Sequence, residues 1–262
     1  MKVVLFCGGL GTRLRDYSES VPKPMVPVGY RPVLWHVMKY YAHHGHKDFI
    51  LALGYKSDVI KDFFLNYSEA ASNDFVLSRG GKQVDLLNTD IEDWTITFVD
   101  TGATSNVGER LRRVKPYVEN EEMFMANYSD GLTDVPLNGR VEAFKKRGKV
   151  ASFLAVHPPG SYHVMRLEED GLVKAVEPIG ATGAWINAGY FIFTPAVFDY
   201  MKSGEELLEE PFGRLVKAGE LFADPYTGFW QPMDTFKEKQ HLDELYNSDA
   251  APWVLWDSKN GK

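Results

Sequence analysis

Glycines and cations near the amino terminus have the types and spacing of a phosphate-binding site. Gly8, Gly9 and Gly11 directly follow a short apolar run that predicts a buried strand. Glycine lets a ligand approach the backbone closely, and consecutive N–H groups in such a loop form a concavity that binds anions. Arg13 follows at once, and Lys23 lies between two prolines that stiffen its segment. This combination suits the phosphate chain of a nucleoside triphosphate.

The spacing of these residues excludes two common phosphate-binding loops. The sequence contains no G-x-x-x-x-G-K followed by Ser or Thr, so it has no Walker A loop. The dinucleotide fingerprint needs Gly or Ala three residues after Gly11, where this chain has Leu14. The alternative to a ligand-binding loop is a tight strand–helix turn with incidental cations. That alternative requires the glycines, Thr12, Arg13 and Lys23 to coincide by chance.

Two aspartates are candidate ligands for a hard divalent cation. Asp130 follows the predicted strand Met123–Ala126, and Asp234 ends an aromatic segment bounded by glycine and proline. Mg²⁺ often takes only one or two carboxylates from the protein, while waters and phosphates complete its octahedron. Each aspartate also has a purely structural interpretation. Asp130 with Gly131 could form a turn, and Asp234 could cap a helix that begins near Thr235.

The composition restricts the class of protein. The chain has 262 residues, 44% of them hydrophobic, and a formal net charge of −7. An acidic chain argues against nucleic-acid binding, and no apolar run approaches the length of a membrane span. The single cysteine, Cys7, lies in the first predicted strand, which favours a small core residue over a nucleophile. One cysteine also suggests a reducing compartment, so we expect a cytoplasmic location without membrane or nucleic-acid partners.

Alternating strand and helix patterns predict an α/β fold. We expect a Rossmann-like, mostly parallel sheet with helices on both faces, together with small β insertions. One insertion is expected near residues 75–99, around the turn Gly80-Gly81, and a second hairpin around Asp170-Gly171. Ligands bind at the carboxyl ends of strands in such sheets, which is where the glycine loop lies. The predicted sheet strands are Val3–Cys7, Asp48–Leu53, Met123–Ala126, Ala151–Val156 and Ile186–Phe193, and helices are expected within 33–41, 59–66, 141–147, 195–202 and 207–218.

The glycine loop also resembles a known family signature. Gly9-x-Gly11-Thr-Arg-Leu, with a Pro-Lys pair about ten residues later, is similar to the signature of the sugar nucleotidyltransferases. Further matching stretches run from Lys2 nearly to Trp256, and the likeness is closest to the branch that transfers a cytidylyl group to glucose 1-phosphate. The most specific stretch is Gly228-Phe-Trp-Gln-Pro-Met-Asp-Thr235. The resemblance implies a Mg²⁺-dependent enzyme that transfers CMP from CTP to a phosphorylated acceptor, releases pyrophosphate and forms homo-oligomers.

The resemblance also implies roles for individual residues. Asp130 and Asp234 would be the two Mg²⁺ ligands, Arg13 would bind the β- and γ-phosphates, and Lys23 would bind near the α-phosphate; these four form the predicted catalytic set. The resemblance further implies one nucleotidyltransferase domain over 1–262, with a nucleotide-binding part over about 1–150, an acceptor-binding part over about 151–235 and a helical segment over about 236–262. The predicted nucleotide-binding residues are Cys7, Gly8, Gly9, Leu10, Gly11, Thr12, Arg13, Lys23, Ser105, Arg110 and Ser129.

The chain departs from the family pattern on the acceptor side. The family has Glu-Lys-Pro where this chain has Glu177-Pro178 without a lysine, and His163 stands in place of a glycine. The family's Asn-Gly-Gly becomes Asn-Ala-Gly. We therefore expect an acceptor other than plain glucose 1-phosphate, unless these changes have no consequence. A lost lysine removes a charge-assisted contact, for which His163 and Lys174 are candidate replacements. The predicted acceptor-binding residues are His163, Lys174, Glu177, Asn187 and Ala188.

Two other interpretations fit the residues less well. A non-catalytic nucleotide-binding homologue that has lost the acceptor site would have little need of both Asp130 and Asp234, so we favour an enzyme. Four histidines between positions 36 and 46 could suggest zinc, but they have no cysteine partner and no H-E-x-x-H spacing. A place on the surface and at the carboxyl end of a helix explains them better.

Overall fold

The structure is a computed structural model that describes residues 1–9, 21–159 and 162–256. Its strands are β1 (Lys2–Cys7), β2 (Pro27–Val28), β3 (Arg31–Pro32), β4 (Asp48–Leu53), β5 (Phe75–Ser78), β6 (Gln83–Leu86), β7 (Thr95–Asp100), β8 (Phe124–Tyr128), β9 (Gly131–Thr133), β10 (Ala151–Val156), β11 (His163–Leu167), β12 (Val173–Pro178), β13 (Ile186–Asn187), β14 (Phe191–Phe193), β15 (Leu221–Tyr226) and β16 (Trp230–Pro232). Its α-helices are α1 (Val33–His43), α2 (Ser57–Leu65), α3 (Glu69–Ser72), α4 (Val107–Arg113), α5 (Lys115–Val118), α6 (Leu137–Arg147), α7 (Glu210–Ala218) and α8 (Phe236–Asn247). Shorter 3-10 turns cover Lys23–Met25, Arg79–Gly81, Ile179–Ala181 and Pro195–Tyr200.

A twisted central sheet organises these elements. Its strand order is β13-β10-β14-β8-β1-β4-β7, and β15 pairs with the other edge of β10. The pairs β1–β4, β1–β8, β4–β7 and β10–β15 are parallel, whereas β14 runs antiparallel between β8 and β10. The predicted α/β, mostly parallel sheet is therefore confirmed, with an antiparallel strand at its centre.

Both faces of the sheet are covered, as alternation along β1 shows. Val3, Leu5 and Cys7 pack into one core together with residues of α1 and α8. Val4 and Phe6 point the other way, into a second core with residues of α4 and α7. Successive side chains of a strand point to opposite faces, so an uninterrupted apolar run suits a strand buried on both sides.

The insertion predicted over 75–99 is shorter than expected. Strands β5 and β6 do form an antiparallel hairpin, with Phe75 opposite Leu86. Thr95–Asp100, which the sequence grouped with that hairpin, is instead the edge strand of the central sheet and runs parallel to β4. Alternating polar and apolar residues are typical both of a hairpin and of an edge strand, so the pattern could not distinguish the two.

The single strand predicted over Ile186–Phe193 is divided into β13 and β14. Gly189 and Tyr190 between them have positive φ values of 79° and 50°. Side-chain amides hold this bend, because Oδ1 of Asn187 accepts from the N–H of Gly189 and Oδ1 of Asn127 accepts from the N–H of Tyr190. The bend turns the chain where β13 reaches the carboxyl end of β10.

The prediction that His36 lies on a helix surface is wrong. His36 is fully buried in α1, where its Nε2–H donates to the carbonyl oxygen of Val28 at 3.0 Å. Its Nδ1 lies 3.3 Å from Nε1 of Trp253, whose N–H it accepts. Burial lowers the pKa of His36 to about 4, so the imidazole is neutral and forms part of the core.

The start of α8 corrects the structural interpretation of Asp234. The N-cap is Thr235, whose hydroxyl accepts from the N–H of Glu238 while the Glu238 carboxylate accepts from the Thr235 N–H. This capping box leaves Asp234 one position outside the helix, so its carboxylate does not cap the helix. Among the helices described, none is both long and apolar enough to cross a bilayer.

Candidate active site

The carboxyl ends of two neighbouring strands bring the glycine loop and Asp130 together. Strand β1 ends at Cys7 and continues into Gly8 and Gly9, while β8 ends directly before Ser129 and Asp130. The strands are parallel neighbours, so both continuations emerge at the same edge of the sheet. The hydroxyl of Ser129 donates to the carbonyl oxygen of Phe6 at 2.9 Å, which fixes the second continuation to β1.

A cavity of about 420 Å³ opens at this edge. This volume lies within the usual range of small-molecule sites. Seven residues predicted from the sequence line the cavity: Cys7, Gly8, Gly9, Lys23, Ser129, Asp130 and Asp234. Four further predicted residues, Leu10, Gly11, Thr12 and Arg13, lie outside the described residues.

Strand pairing in a small two-stranded sheet, not proximity in the sequence, places Asp234 next to Asp130. Strand β16 pairs antiparallel with β9, which places Pro232 opposite Gly131. One residue later, the N–H of Met233 donates to the carbonyl oxygen of Asp130 at 2.9 Å. The strand containing the specific aromatic segment therefore delivers Asp234 to the cavity beside Asp130.

Lys23 joins the two aspartates. Its Nζ lies 2.5 Å from Oδ1 of Asp234 and forms a second ion pair with the Asp130 carboxylate. Burial opposes the charged form of Lys23, but the two carboxylates outweigh burial and raise its pKa above the ordinary value. Lys23 therefore remains an ammonium ion, and the three side chains together carry one net negative charge.

The donor set fits a hard divalent cation. Asp130 and Asp234 both contact the Nζ atom of Lys23, so their carboxylate oxygens converge on one region of the cavity. No group of three or more His, Cys, Asp or Glu suited to a metal occurs among the described residues. Two carboxylates suffice for Mg²⁺, which retains waters and binds substrate phosphates.

Arg110 lies directly beneath the glycine loop. Its guanidinium donates to the carbonyl oxygen of Leu53 at 2.9 Å and to Oγ1 of Thr101 at 2.7 Å, and the residue is 1% exposed. A Cβ atom built on Gly8 would lie 1.9 Å from Cζ of Arg110, so any larger residue at this position would force the guanidinium to shift. Within the described residues, Nε of Arg110 has no hydrogen-bond partner. A buried cation thus underlies the loop that is predicted to hold phosphates.

Two other predicted nucleotide-binding residues have structural contacts. The hydroxyl of Ser105 donates to the carbonyl oxygen of Thr101, the residue that also anchors Arg110. Cys7 is 1% exposed, and burial raises the pKa of its thiol to about 12. The thiol therefore stays protonated, which agrees with a packing residue at the end of β1.

The predicted acceptor residues fall into two groups. Asn187 and Ala188 approach the cavity, because the Asn187 amide donates at 3.2 Å to the hydroxyl oxygen of Tyr128, which lines it. His163, Lys174 and Glu177 lie on the β11–β12 hairpin, away from that cavity. Lys174 is paired with the carboxylate of Glu168 at 2.7 Å.

Strand register separates the hairpin candidates further. His163 stands opposite Pro178, whereas Glu177 stands opposite Val164. Directly opposed residues share a face and successive residues alternate, so His163 and Glu177 point to opposite faces of the hairpin. The structure therefore does not bring these two side chains into one pocket.

Sequence reasoning missed four residues of the cavity lining: Phe6, Pro24, Val107 and Tyr128. Pro24 and Tyr128 adjoin predicted residues, so their proximity could have been anticipated. Val107 is the first residue of α4, and its place at the cavity depends on how α4 packs against β1. No local sequence signal indicates that packing.

The chain is similar to known proteins over almost its whole length. Residues 2–231 match the model of the family described as Nucleotidyl transferase. The chain is 40% identical over 258 residues to a glucose-1-phosphate cytidylyltransferase of Salmonella typhi, covering 98% of this chain and 100% of that one. It is 34% identical, with the same coverage, to a probable glucose-1-phosphate cytidylyltransferase of Bacillus subtilis. The fold is similar to a solved UDP-glucose pyrophosphorylase complexed with UDP-glucose, with a TM-score of 0.70, 17% identity, and coverage of 95% of this chain and 98% of that chain.

Proposed function

The chain belongs to the nucleotidyl transferase family, and from that premise we propose that it transfers CMP from CTP to a phosphorylated, sugar 1-phosphate-like acceptor with release of pyrophosphate. The observation that carries the proposal is the convergence of Lys23, Asp130 and Asp234 at the glycine loop. This site combines backbone N–H groups, one cation and two carboxylates, which are the groups that align and neutralise two reacting anions.

In the proposed reaction, a phosphate oxygen of the acceptor attacks the α-phosphorus of the nucleotide. A new P–O bond forms, the bond between the α-phosphorus and the bridging oxygen breaks, and pyrophosphate leaves with that electron pair. Lys23 would donate hydrogen bonds to the α-phosphate, and the N–H groups of Gly8 and Gly9 would bind phosphate oxygens. Asp130 and Asp234 would hold Mg²⁺, which when bound neutralises phosphate charge and aligns the reactants.

The choice of CTP rests on similarity to the cytidylyltransferases rather than on a contact to the base. A thermal-shift comparison of CTP, UTP, dTTP, ATP and GTP with Mg²⁺ tests it directly. The nucleotide that binds the native state most tightly raises the melting temperature most at a fixed concentration. We expect the largest shift with CTP, and an equal or larger shift with UTP or dTTP would contradict the proposal.

The proposed acceptor is a sugar 1-phosphate or related phosphorylated metabolite other than plain glucose 1-phosphate. This rests on the missing lysine beside Glu177 and on His163 in place of a glycine. A pyrophosphate-release screen would pair CTP with a panel of sugar 1-phosphates and small phosphorylated metabolites. We expect another acceptor to exceed glucose 1-phosphate in kcat/KM by about tenfold or more, the effect of one charged hydrogen bond. Glucose 1-phosphate as the best acceptor would contradict this part of the proposal.

We also propose a cytoplasmic homo-oligomer. In it, the β5–β6 hairpin and the β11–β12 hairpin would contact a second copy of the chain. The hairpin tips have complementary charge, since Arg79 and Lys82 lie at one and Glu169 and Asp170 at the other. Light scattering after size-exclusion chromatography should give a multiple of the chain mass, and reversal of both cations to glutamate should reduce it. A wild-type monomer would contradict the proposal. The exposed apolar residues of the hairpins include Phe75, Val76, Leu77, Val84, Leu86, Met165, Leu167, Val173 and Val176.

A further inference from the structure

A second, smaller cavity of about 230 Å³ adjoins the start of α8. Tyr162 contributes one wall, and Gln231, Lys237 and His241 contribute others. The segment 231–235 connects this cavity to the larger one, because Asp234 lines the first cavity while Gln231 and Thr235 line the second. A ligand in the smaller cavity would therefore lie beside the segment that presents Asp234.

Two basic side chains face this cavity from α8. Lys237 and His241 are four residues apart, so they lie one above the other on one face of the helix. Side chains of an α-helix tilt toward its amino terminus, which here is the end next to Asp234. The side chains of Lys237 and His241 form no hydrogen bond or ion pair within the part of the chain that the structure describes. On the same helix, by contrast, Lys239 is paired with Asp243.

One carboxylate also lines the cavity, but it has other partners. Oε2 of Glu238 accepts from the backbone N–H groups of Asp234 and Thr235, each at 2.8 Å. This oxygen is committed to the helix cap, and only one acidic side chain lines the cavity against two basic ones. Lys237 is the charged side chain that remains to contact a ligand, which favours an anionic ligand over a cationic one.

The neutral walls suit a polyol. Tyr162 is 77% exposed and presents an aromatic ring, and the Gln231 amide donates to the carbonyl oxygen of Pro232 at 3.0 Å, which leaves its own oxygen as an acceptor. Aromatic surface with a few convergent polar groups is typical of small-ligand sites. A volume of about 230 Å³ is below the usual range for such sites, so the cavity fits part of a small ligand rather than a nucleotide.

We propose that this cavity receives the phosphorylated sugar acceptor, with Lys237 supplying the positive charge that is missing beside Glu177 and the His241 ring a further polar contact. The inference rests on the proposed function and assigns the acceptor side of the same reaction. Lys174, the lysine suggested by sequence, is a weaker candidate, because it is paired with Glu168 and does not line either cavity. Lys237 lies three residues after Asp234, on the helix that this aspartate precedes.

Steady-state kinetics of the Lys237→Gln and His241→Gln variants test the inference. The acceptor should be the sugar 1-phosphate that wild type uses best, with each substrate varied in turn. Lys237→Gln should lower kcat/KM for the acceptor about ten- to a hundredfold, because a charged hydrogen bond to phosphate is lost, while KM for CTP stays within about twofold. His241→Gln should act in the same direction. Lys237→Arg should recover part of the loss because it retains the charge.

A matched control is Lys217→Gln, which removes an exposed lysine from α7 and should leave both substrates unaffected. If Lys237→Gln leaves acceptor kcat/KM within twofold of wild type, or raises KM for both substrates equally, the inference is overturned while the proposed function stands. If wild type turns over no phosphorylated acceptor of the panel, the proposed function fails, and ligand binding then tests the inference. Glucose 1-phosphate and inorganic phosphate should then still raise the melting temperature of wild type but not of Lys237→Gln. No shift in wild type would overturn the inference.

Discussion

The Nζ atom of Lys23 lies 2.5 Å from Oδ1 of Asp234, although the two residues are 211 positions apart in the sequence. The same ammonium group pairs with Asp130, so a single cation neutralises half of the charge of the two predicted metal ligands. Lys23 and a divalent cation would share these carboxylates as partners. The pairing leads to two predictions about divalent-cation binding. Loss of either aspartate should weaken it, whereas loss of the lysine should strengthen it.

Asp130→Asn and Asp234→Asn should each reduce turnover by at least about a hundredfold, because each removes a charged oxygen ligand from the proposed Mg²⁺ site. The folded state should persist, since Lys23 keeps one carboxylate partner in either variant. Pyrophosphate release over a range of Mg²⁺ concentrations measures the effect. Asp58→Asn, which removes an exposed carboxylate from α2, is the control. Activity within a few-fold of wild type at low Mg²⁺ would exclude the assignment.

Lys23→Gln should abolish turnover but strengthen divalent-cation binding to the nucleotide-free protein. Removal of the ammonium group takes a competing partner from Asp130 and Asp234 and leaves two negative charges in one cavity. Titration with Mn²⁺, followed by electron paramagnetic resonance, measures the affinity without any turnover. Weaker Mn²⁺ binding than in wild type would show that Lys23 supports the site rather than competing for it.

Gly8→Ala should destabilise the protein, whereas Gly9→Ala should not. A methyl group on Gly8 would meet the buried guanidinium of Arg110 at 1.9 Å, whereas one on Gly9 would meet no atom of the described residues within 4 Å. Overpacking of this kind costs about 1–3 kcal/mol, so the free energy of unfolding in urea should fall by that amount for Gly8→Ala alone. Equal stability of the two variants would mean that Arg110 moves aside without cost.

His36 should make the protein sensitive to acid. Burial lowers its pKa from the ordinary value of 6.5 to about 4 in the folded state, so the unfolded chain binds the proton first as the pH falls. The contribution of neutral His36 to the free energy of unfolding is fully present above about pH 6.5 and is lost progressively as the pH falls toward 4. A difference of this size corresponds to at most about 3 kcal/mol. Protonation at Nδ1 would also remove the acceptor for the Trp253 indole N–H.

Urea unfolding of His36→Gln and wild type between pH 7.5 and about pH 4.5 tests this prediction. The variant should be less stable at neutral pH, but its stability should fall less steeply with acid. His43→Gln, which removes an exposed histidine from the same helix, is the matched control. Parallel pH profiles of His36→Gln and wild type would contradict a buried neutral imidazole.

Local sequence patterns were sufficient for several elements near the site. The apolar run before Gly8 predicted β1, and the bounds predicted for Asp48–Leu53 and Ala151–Val156 match the structure. These strands are buried on both faces, so nearly all of their positions are apolar. The hairpin around Asp170-Gly171 was also predicted correctly, because turn chemistry lies within a few residues.

Contacts between distant segments could not be derived from such patterns. Asp234 stands beside Asp130 because β16 pairs with β9, and Arg110 lies under Gly8 because α4 packs against β1. The wrong predictions for Thr95–Asp100 and His36 have the same cause. The partners of these residues, β4 and Trp253, are far away in the chain. Spacing and residue type report on neighbours within a turn or a strand. Burial and pairing across the sheet depend on how whole elements pack, and that packing placed the two aspartates around one lysine.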